Sequence, residues 1–192
     1  MNIEKGILGP HHKKEKLEQP ERVRDLDPVT TLKTLGIRDK EVICDIGAGS
    51  GLFSLTAARM ADVSVIAIET DAAILNVLAE RAASEGLHNV RTLFVEGFHY
   101  DIAAHSVDRI LLVAVLHEIA EKNELFREIK RILKSDGTIS IIEFRKEKTP
   151  MGPPVECRIG ADDMDELCRQ YGLNKRQSFV RGQNFYCQVY EM

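Results

Sequence analysis

Asp45 stands two residues ahead of three glycines at alternate positions, Gly47, Gly49 and Gly51, in the run Val42-Ile-Cys-Asp-Ile-Gly-Ala-Gly-Ser-Gly-Leu-Phe. Glycine tolerates positive φ and leaves its backbone bare, so a ligand can lie directly against such a turn. A helix that follows aims its unpaired N–H groups at the same ligand. The spacing bears on the ligand's charge. A pyrophosphate turn needs G-x-G-x-x-G, but the third position of that pattern is Leu52 here, and the glycine falls one residue early. An acid beside the turn would repel a diphosphate most strongly where water is scarce, and would attract a cationic amino-acid group instead. Glu69 closes the next apolar run, Val63-Ser-Val-Ile-Ala-Ile-Glu. A carboxylate about 20 residues beyond a glycine turn is placed to accept ribose hydroxyls. Its alternative use is to cap a helix entering near Asp71, a role that Thr70 and Asp71 can fill themselves.

Further reactive groups stand at the ends of later apolar runs. Val113-Ala-Val-Leu-His117-Glu118 ends the fourth and Ile142-Glu143-Phe-Arg145 the fifth. In an open α/β sheet the carboxyl ends of strands border the ligand crevice, so His117, Glu118, Glu143 and Arg145 are candidate acceptor-side groups. An imidazole with a pKa of about 6.5 is partly neutral near pH 7 and can take a proton from a hydroxyl. A lone His at this place can equally fill space beneath a ligand. Cys44, Cys157, Cys168 and Cys187 form no C-x-x-C pair, so neither a disulfide framework nor a metal site is expected.

The elements that must position these groups alternate along the chain. Val42 to Ile46 has the β-branched run of a strand buried on both faces, and Leu52 to Arg59 favours helix. After the strand ending at Glu69, a helix is expected over Ala72 to Glu85, with apolar positions Ile74, Leu75, Leu78 and Ala82 and a stop at Gly86. Val90 to Val95 and Val107 to Val113 read as strands. Glu118 to Leu133 reads as a helix closed by the turn Ser135-Asp136-Gly137, Thr138 to Phe144 as a fifth strand, and Asp162 to Tyr171 as a helix. Lys175 to Val180 and Asn184 to Tyr190 alternate around a turn at Gly182. The expected fold is therefore α/β: a doubly wound, seven-stranded, mostly parallel sheet with helices on both faces and a C-terminal antiparallel hairpin. That hairpin is foreign to a purely parallel dinucleotide domain.

At 192 residues the chain is long enough for one continuous core, read here as a single domain with a helical lead-in over residues 1–36 and an α/β core over 37–192. Lys plus Arg number 26 against 30 for Asp plus Glu, and the absence of a basic block disfavours nucleic acid as a partner. No window of about 18 apolar residues indicates a membrane span, and the polar first sixteen residues do not read as a leader, so a cytoplasmic location is expected. Within the lead-in, Asp27-Pro28 is an N-cap and first-turn pair, and Val29, Leu32 and Leu35 form an apolar stripe ending at Gly36. His11 and His12 are adjacent, a pattern more common on a surface than at a metal. The connection from Arg145 to Ala161 holds Pro150, Gly152, Pro153, Pro154 and Gly160, and loops of this length usually bind or gate something.

The segment VICDIGAGSGLFSL resembles the first motif of class I S-adenosylmethionine-dependent methyltransferases, whose E/DxGxGxG turn holds the methionine part of the cofactor. The resemblance implies that Gly47, Ala48, Gly49 and Gly51 line methionine and ribose, that Asp45 steers the amino group, and that Glu69, with Thr70 beside it, meets the ribose. Adenine would then lie by Glu96, Gly97 and Phe98. Similar enzymes often carry Gly-Asp there; with Phe98 in place of the acid, its N–H would meet the adenine edge while the ring packs on the base, or the ring belongs to the core. Ala114 would complete the cofactor wall. Base-modifying relatives commonly carry [N/D]-P-P-[Y/F] at the end of the fourth strand, and Val113 to Leu116 has none of these residues. Leu116-His117-Glu118 instead is similar to the Leu-His-His/Glu of small-molecule methyltransferases that include quinone-biosynthesis enzymes. Met151-Gly-Pro-Pro resembles a segment of short bacterial and archaeal methyltransferases, in which a His often stands at the place of Cys157; such enzymes use the lead-in as a lid. The implied function is methyl transfer from S-adenosylmethionine to a small acceptor, leaving S-adenosylhomocysteine, with His117, Glu118 and Glu143 as catalytic candidates and no metal. Alternatives are an NAD-dependent oxidoreductase, a non-catalytic S-adenosylmethionine-binding protein and, more remotely, arsenite methylation.

Overall fold

β1 (Val42–Ile46) is the central strand, and its apolar side chains are buried on both faces as the β-branched run requires. The computed structural model describes residues 15–192, so His11 and His12 lie outside the described residues. Ahead of β1 come α1 (Pro20–Leu26) and α2 (Pro28–Leu35); after it come α3 (Leu52–Met60), β2 (Ser64–Glu69), α4 (Ala72–Ser84), β3 (Val90–Phe94) and β4 (Val107–Val113). A 3₁₀ turn at Leu116–Glu118 leads to α5 (Lys122–Ile132) and β5 (Leu133–Phe144), and a second at Val155–Cys157 to α6 (Ala161–Gln170), β6 (Asn174–Arg181) and β7 (Phe185–Glu191). The sheet has seven strands in the order β3-β2-β1-β4-β5-β7-β6. β1 to β5 pair in parallel, while β7 runs antiparallel to both β5 and β6.

This is the expected doubly wound sheet with its terminal hairpin, and the strand order reverses between β1 and β4. Such a switch point leaves a crevice above the strands' carboxyl ends. Leu26, Leu32 and Leu35 join Phe53 and Ala57 against Ile43, Leu111 and Val113 on one face. Leu125, Phe126 and Ile129 of α5, with Met164 and Cys168 of α6, cover Cys44, Ile110 and Ile139 on the other. Cys44 is a fully buried core residue.

Three local expectations are corrected. α5 begins at Lys122 rather than Glu118, because the chain leaving β4 enters a left-handed conformation at Ala114 (φ 55°) and spends residues 116–118 in the 3₁₀ turn, with Ile119 extended. β5 begins at Leu133, directly after α5. Val107 pairs with Leu133 while Arg109 pairs with Thr138, so the Ser135-Asp136-Gly137 turn is an irregularity within the strand. In α2 the buried stripe is Pro28, Thr31, Leu32 and Leu35, and Val29 is 43% exposed. Thr31 is accommodated because its hydroxyl donates to the Leu26 carbonyl at 2.5 Å.

The Pro-rich connection after β5 is organised by one buried cation. Arg158 donates to the carbonyls of Pro153, Arg145, Glu147 and Met151 and to the Thr149 hydroxyl, at 2.6–3.2 Å, with its guanidinium 5.6 Å over the Phe144 ring. An ammonium cannot reproduce that planar fork. Arg158→Lys is therefore expected to cost about 2–4 kcal/mol by leaving buried carbonyls unpaired. Thermal unfolding and limited proteolysis within residues 145–158 would read it, and an unchanged melting temperature would contradict it.

Candidate active site

The glycine turn owes its shape to backbone that other residues resist. Gly47, Gly49 and Gly51 have φ of 74°, 54° and 90°. A Cβ at Gly47 would lie 2.5 Å from Val115 Cγ2, and one at Gly51 2.8 Å from Leu78 Cγ. These glycines divide the labour. Gly47 and Gly49 line a cavity of about 480 Å³ over the carboxyl ends of β1, β2 and β4, whereas Gly51 packs the start of α3 onto α4 and does not line it. That volume lies within the ~300–1,000 Å³ typical of small-molecule sites.

Asp45 forms part of the cavity wall and is 2% exposed. Its Oδ2 accepts a 2.6 Å hydrogen bond from Ser54 Oγ on the first turn of α3. Burial pushes the carboxyl up to about 6, opposed by the Ser54 bond and aided by the Glu69 charge. Glu69 ties the two halves of the turn together. Its Oε2 accepts the Gly49 N–H at 2.9 Å, and its Oε1 accepts the N–H groups of Thr70 and Asp71 at 2.8 and 3.1 Å. The helix-capping role weighed for Glu69 falls to Asp71, whose Oδ1 accepts from Ala73 and Ile74.

Besides Asp45, Gly47, Gly49 and Glu69, the cavity brings together Ala48, Thr70, Gly97, Phe98, Ala114 and Glu118. Phe98 is half-buried, meeting the cavity while packing on the core that holds Val95 and Tyr100. Glu96 is exposed and does not line the cavity. Arg145 also stands apart, paired with Glu147 at 2.6 Å.

His117 and Glu143 form a pair beside the cavity. Val113 is in register with Ile142, which brings the residues following β4 next to Glu143, itself 1% exposed. The His117 N–H donates to Glu143 Oε1 at 3.2 Å, and Nδ1 lies 2.9 Å from Oε2. Nε2 is 3.7 Å from an oxygen of Glu118, the residue of the group that reaches the cavity. Burial lowers the imidazole pKa, but the Glu143 hydrogen bond and the charges of Glu143 and Glu118 outweigh it, and the net direction is upward. The Phe144 ring meets His117 edge-on at 5.9 Å.

Sequence reasoning missed Ser54, Tyr100 and Arg22 at this site. Ser54 carried one signal, a hydroxyl on the first turn after the last glycine. Arg22 carried none, because it lies within a run of alternating charges that reads as solvated.

A sheet of this order, a bare-backbone turn after β1 and acids at the tips of β1 and β2 define the class I methyltransferase fold. The family described as "Methyltransferase domain" matches residues 37–184, and the chain belongs to it. The chain is similar to a crystal structure of a SAM-dependent methyltransferase from Aquifex aeolicus, with 25% identity, a TM-score of 0.88 and coverage of 95% of this chain and 98% of that one. It is also similar to a ribosomal protein L11 methyltransferase from Desulforamulus reducens (30% identical, covering 58% of this chain and 36% of that protein). A third likeness is to the ubiquinone/menaquinone biosynthesis C-methyltransferase UbiE of Cellvibrio japonicus (26% identical, covering 60% and 48%). The chain thus spans about a third to a half of the length of these two curated relatives. Membership of this family sets aside the nicotinamide-dependent alternative. Among the described residues, no cluster of three or more His, Cys, Asp or Glu is arranged to hold a metal, and no helix is long and apolar enough to cross a membrane.

Proposed function

We propose that this protein transfers the methyl group of S-adenosylmethionine to a small-molecule acceptor. The observation that carries the reading is the convergence, in one cavity, of a buried carboxylate (Asp45), bare backbone at Gly47 and Gly49, and a second carboxylate (Glu69) already engaged with that backbone. These groups fit an aminoacyl nucleoside: Asp45 faces its ammonium, Gly47 to Gly49 accommodate its chain where a Cβ would intrude, and Glu69 meets its ribose with Thr70 alongside. Gly97 and Phe98 border its base. When bound, S-adenosylmethionine supplies a methyl group activated by a sulfonium charge. The protein's task is then to align the acceptor and exclude water. Glu118 meets the acceptor at the cavity wall, and His117, oriented by Glu143, receives the proton that the acceptor gives up.

The modest volume of the cavity and the absence of a base-recognition tetrapeptide after β4 support a small acceptor over a nucleic-acid base. The four unpaired cysteines support a cytoplasmic setting. Calorimetry with S-adenosylhomocysteine and NAD side by side should give heat only with the former. Labelled methyl from S-adenosylmethionine should then appear in a component of a small-metabolite extract. NAD binding without S-adenosylhomocysteine binding would overturn the cofactor assignment, and cofactor binding with no methyl transfer to any extract would favour a non-catalytic binding protein.

A further inference from the structure

Arg22 on α1 lines the same cavity, yet among the described residues its guanidinium makes one hydrogen bond, a 3.4 Å contact to the Leu17 carbonyl. Other arginines of this protein set the contrast. Arg109 holds both oxygens of Glu41 and the carbonyls of Leu35 and Gly36; Arg131 holds Glu128 and two carbonyls; Arg158 has five partners. A guanidinium carries five N–H donors, and burying it without acceptors is costly. Burial indeed pushes the Arg22 pKa down to about 10. Within its site it has the face of the Phe185 ring, 5.9 Å away, and the charges of Glu143 and Glu118, which only partly offset the burial.

Arg22 senses the charges of Glu143 and Glu118. It shares the cavity wall with Glu118 and Ile119. Leu17, Leu52, Phe53 and Ile119 make the neighbouring wall apolar. We propose that Arg22 recognises a carboxylate on the methyl acceptor, so that the acceptor class is a small organic acid with an apolar body, its acid group held by the guanidinium fork. This rests on reading the cavity as a joint cofactor and acceptor site. The ligand supplies the oxygens that the folded chain withholds from Arg22, and a planar carboxylate matches the fork with two parallel bonds.

The test uses the full chain, first loaded with S-adenosylhomocysteine; failure of that loading would count against the cofactor reading. On loaded protein, benzoate is expected to bind about ten-fold or more tightly than neutral benzamide, as for a charge-assisted pair. Arg22→Met should erase the difference, and Arg22→Lys should restore part of it; melting curves establish that both variants fold. Equal binding of benzoate and benzamide by the wild type overturns the proposal. So does the finding that Arg22→Met weakens S-adenosylhomocysteine while leaving 5′-methylthioadenosine unchanged, because the guanidinium would then be holding the cofactor's own carboxylate.

Discussion

Asp45→Asn is expected to weaken S-adenosylhomocysteine binding by about 10–100-fold while leaving the ligand-free protein as stable as the wild type or more so. The two effects have one origin. The carboxylate is buried, with hydrogen bonds from Ser54 that only partly offset the burial, and its pKa of about 6 stands above the ordinary value. Between about pH 4 and pH 6 the folded protein keeps a proton that the unfolded chain has released. Stability therefore falls as pH rises through that window, by roughly 2–3 kcal/mol in all, and the loss persists above it. The amide variant should lack this decline. A ligand bringing an ammonium favours the ionised carboxylate, so wild-type binding should tighten as pH rises through about 6 and release protons below it, and the variant should show neither effect. Calorimetry from pH 5 to pH 8 with parallel thermal melts measures both. Equal affinities for wild type and variant would remove Asp45 from the ligand site.

The second large effect concerns the pair beside the cavity. His117→Asn should lower methyl transfer by about 10²–10⁴-fold, the span of general base catalysis, with S-adenosylhomocysteine affinity nearly unchanged. Glu143→Gln tests the positioning role. Because the folded imidazole pKa is raised, turnover should increase with pH through a value above the ordinary 6.5 or so, as the neutral form becomes available. The same shift contributes stability below that ordinary value, and this contribution is lost as pH rises through the folded pKa. Removing the Glu143 charge should move the imidazole titration, read by NMR, and the turnover profile to lower pH together. A titration that stays in place in Glu143→Gln would show that the pairing does not tune His117.

Most of the site was legible because its residues are local in sequence. The glycine turn, Asp45 and Glu69 sit at strand ends whose apolar runs are unambiguous, and parallel strands bring those ends together at one edge. His117 and Glu143 were each placed at a strand end, but their contact depends on β4 lying beside β5 in a particular register, which no local pattern states. The start of α5 was misplaced because Leu116 to Glu118 has helical composition, while the backbone there is committed to holding His117. β5 looked shorter than it is because a Ser-Asp-Gly turn normally ends a strand, and here the partner strand tolerates the extra residues. Arg22 lay beyond reach because its environment is built from residues about 160 positions away, at Phe185.

Asp27, at φ 36°, ends α1 and caps α2, while Asp25 binds the Gln183 and Asn184 N–H groups and the Asn184 side chain. α1, which carries Arg22, is thereby fastened to the hairpin turn between β6 and β7. Just upstream, Leu17 rests over Gly49 and Glu18 clasps Arg81, so the start of the described chain is tied to the glycine turn and to α4 as well as to the hairpin.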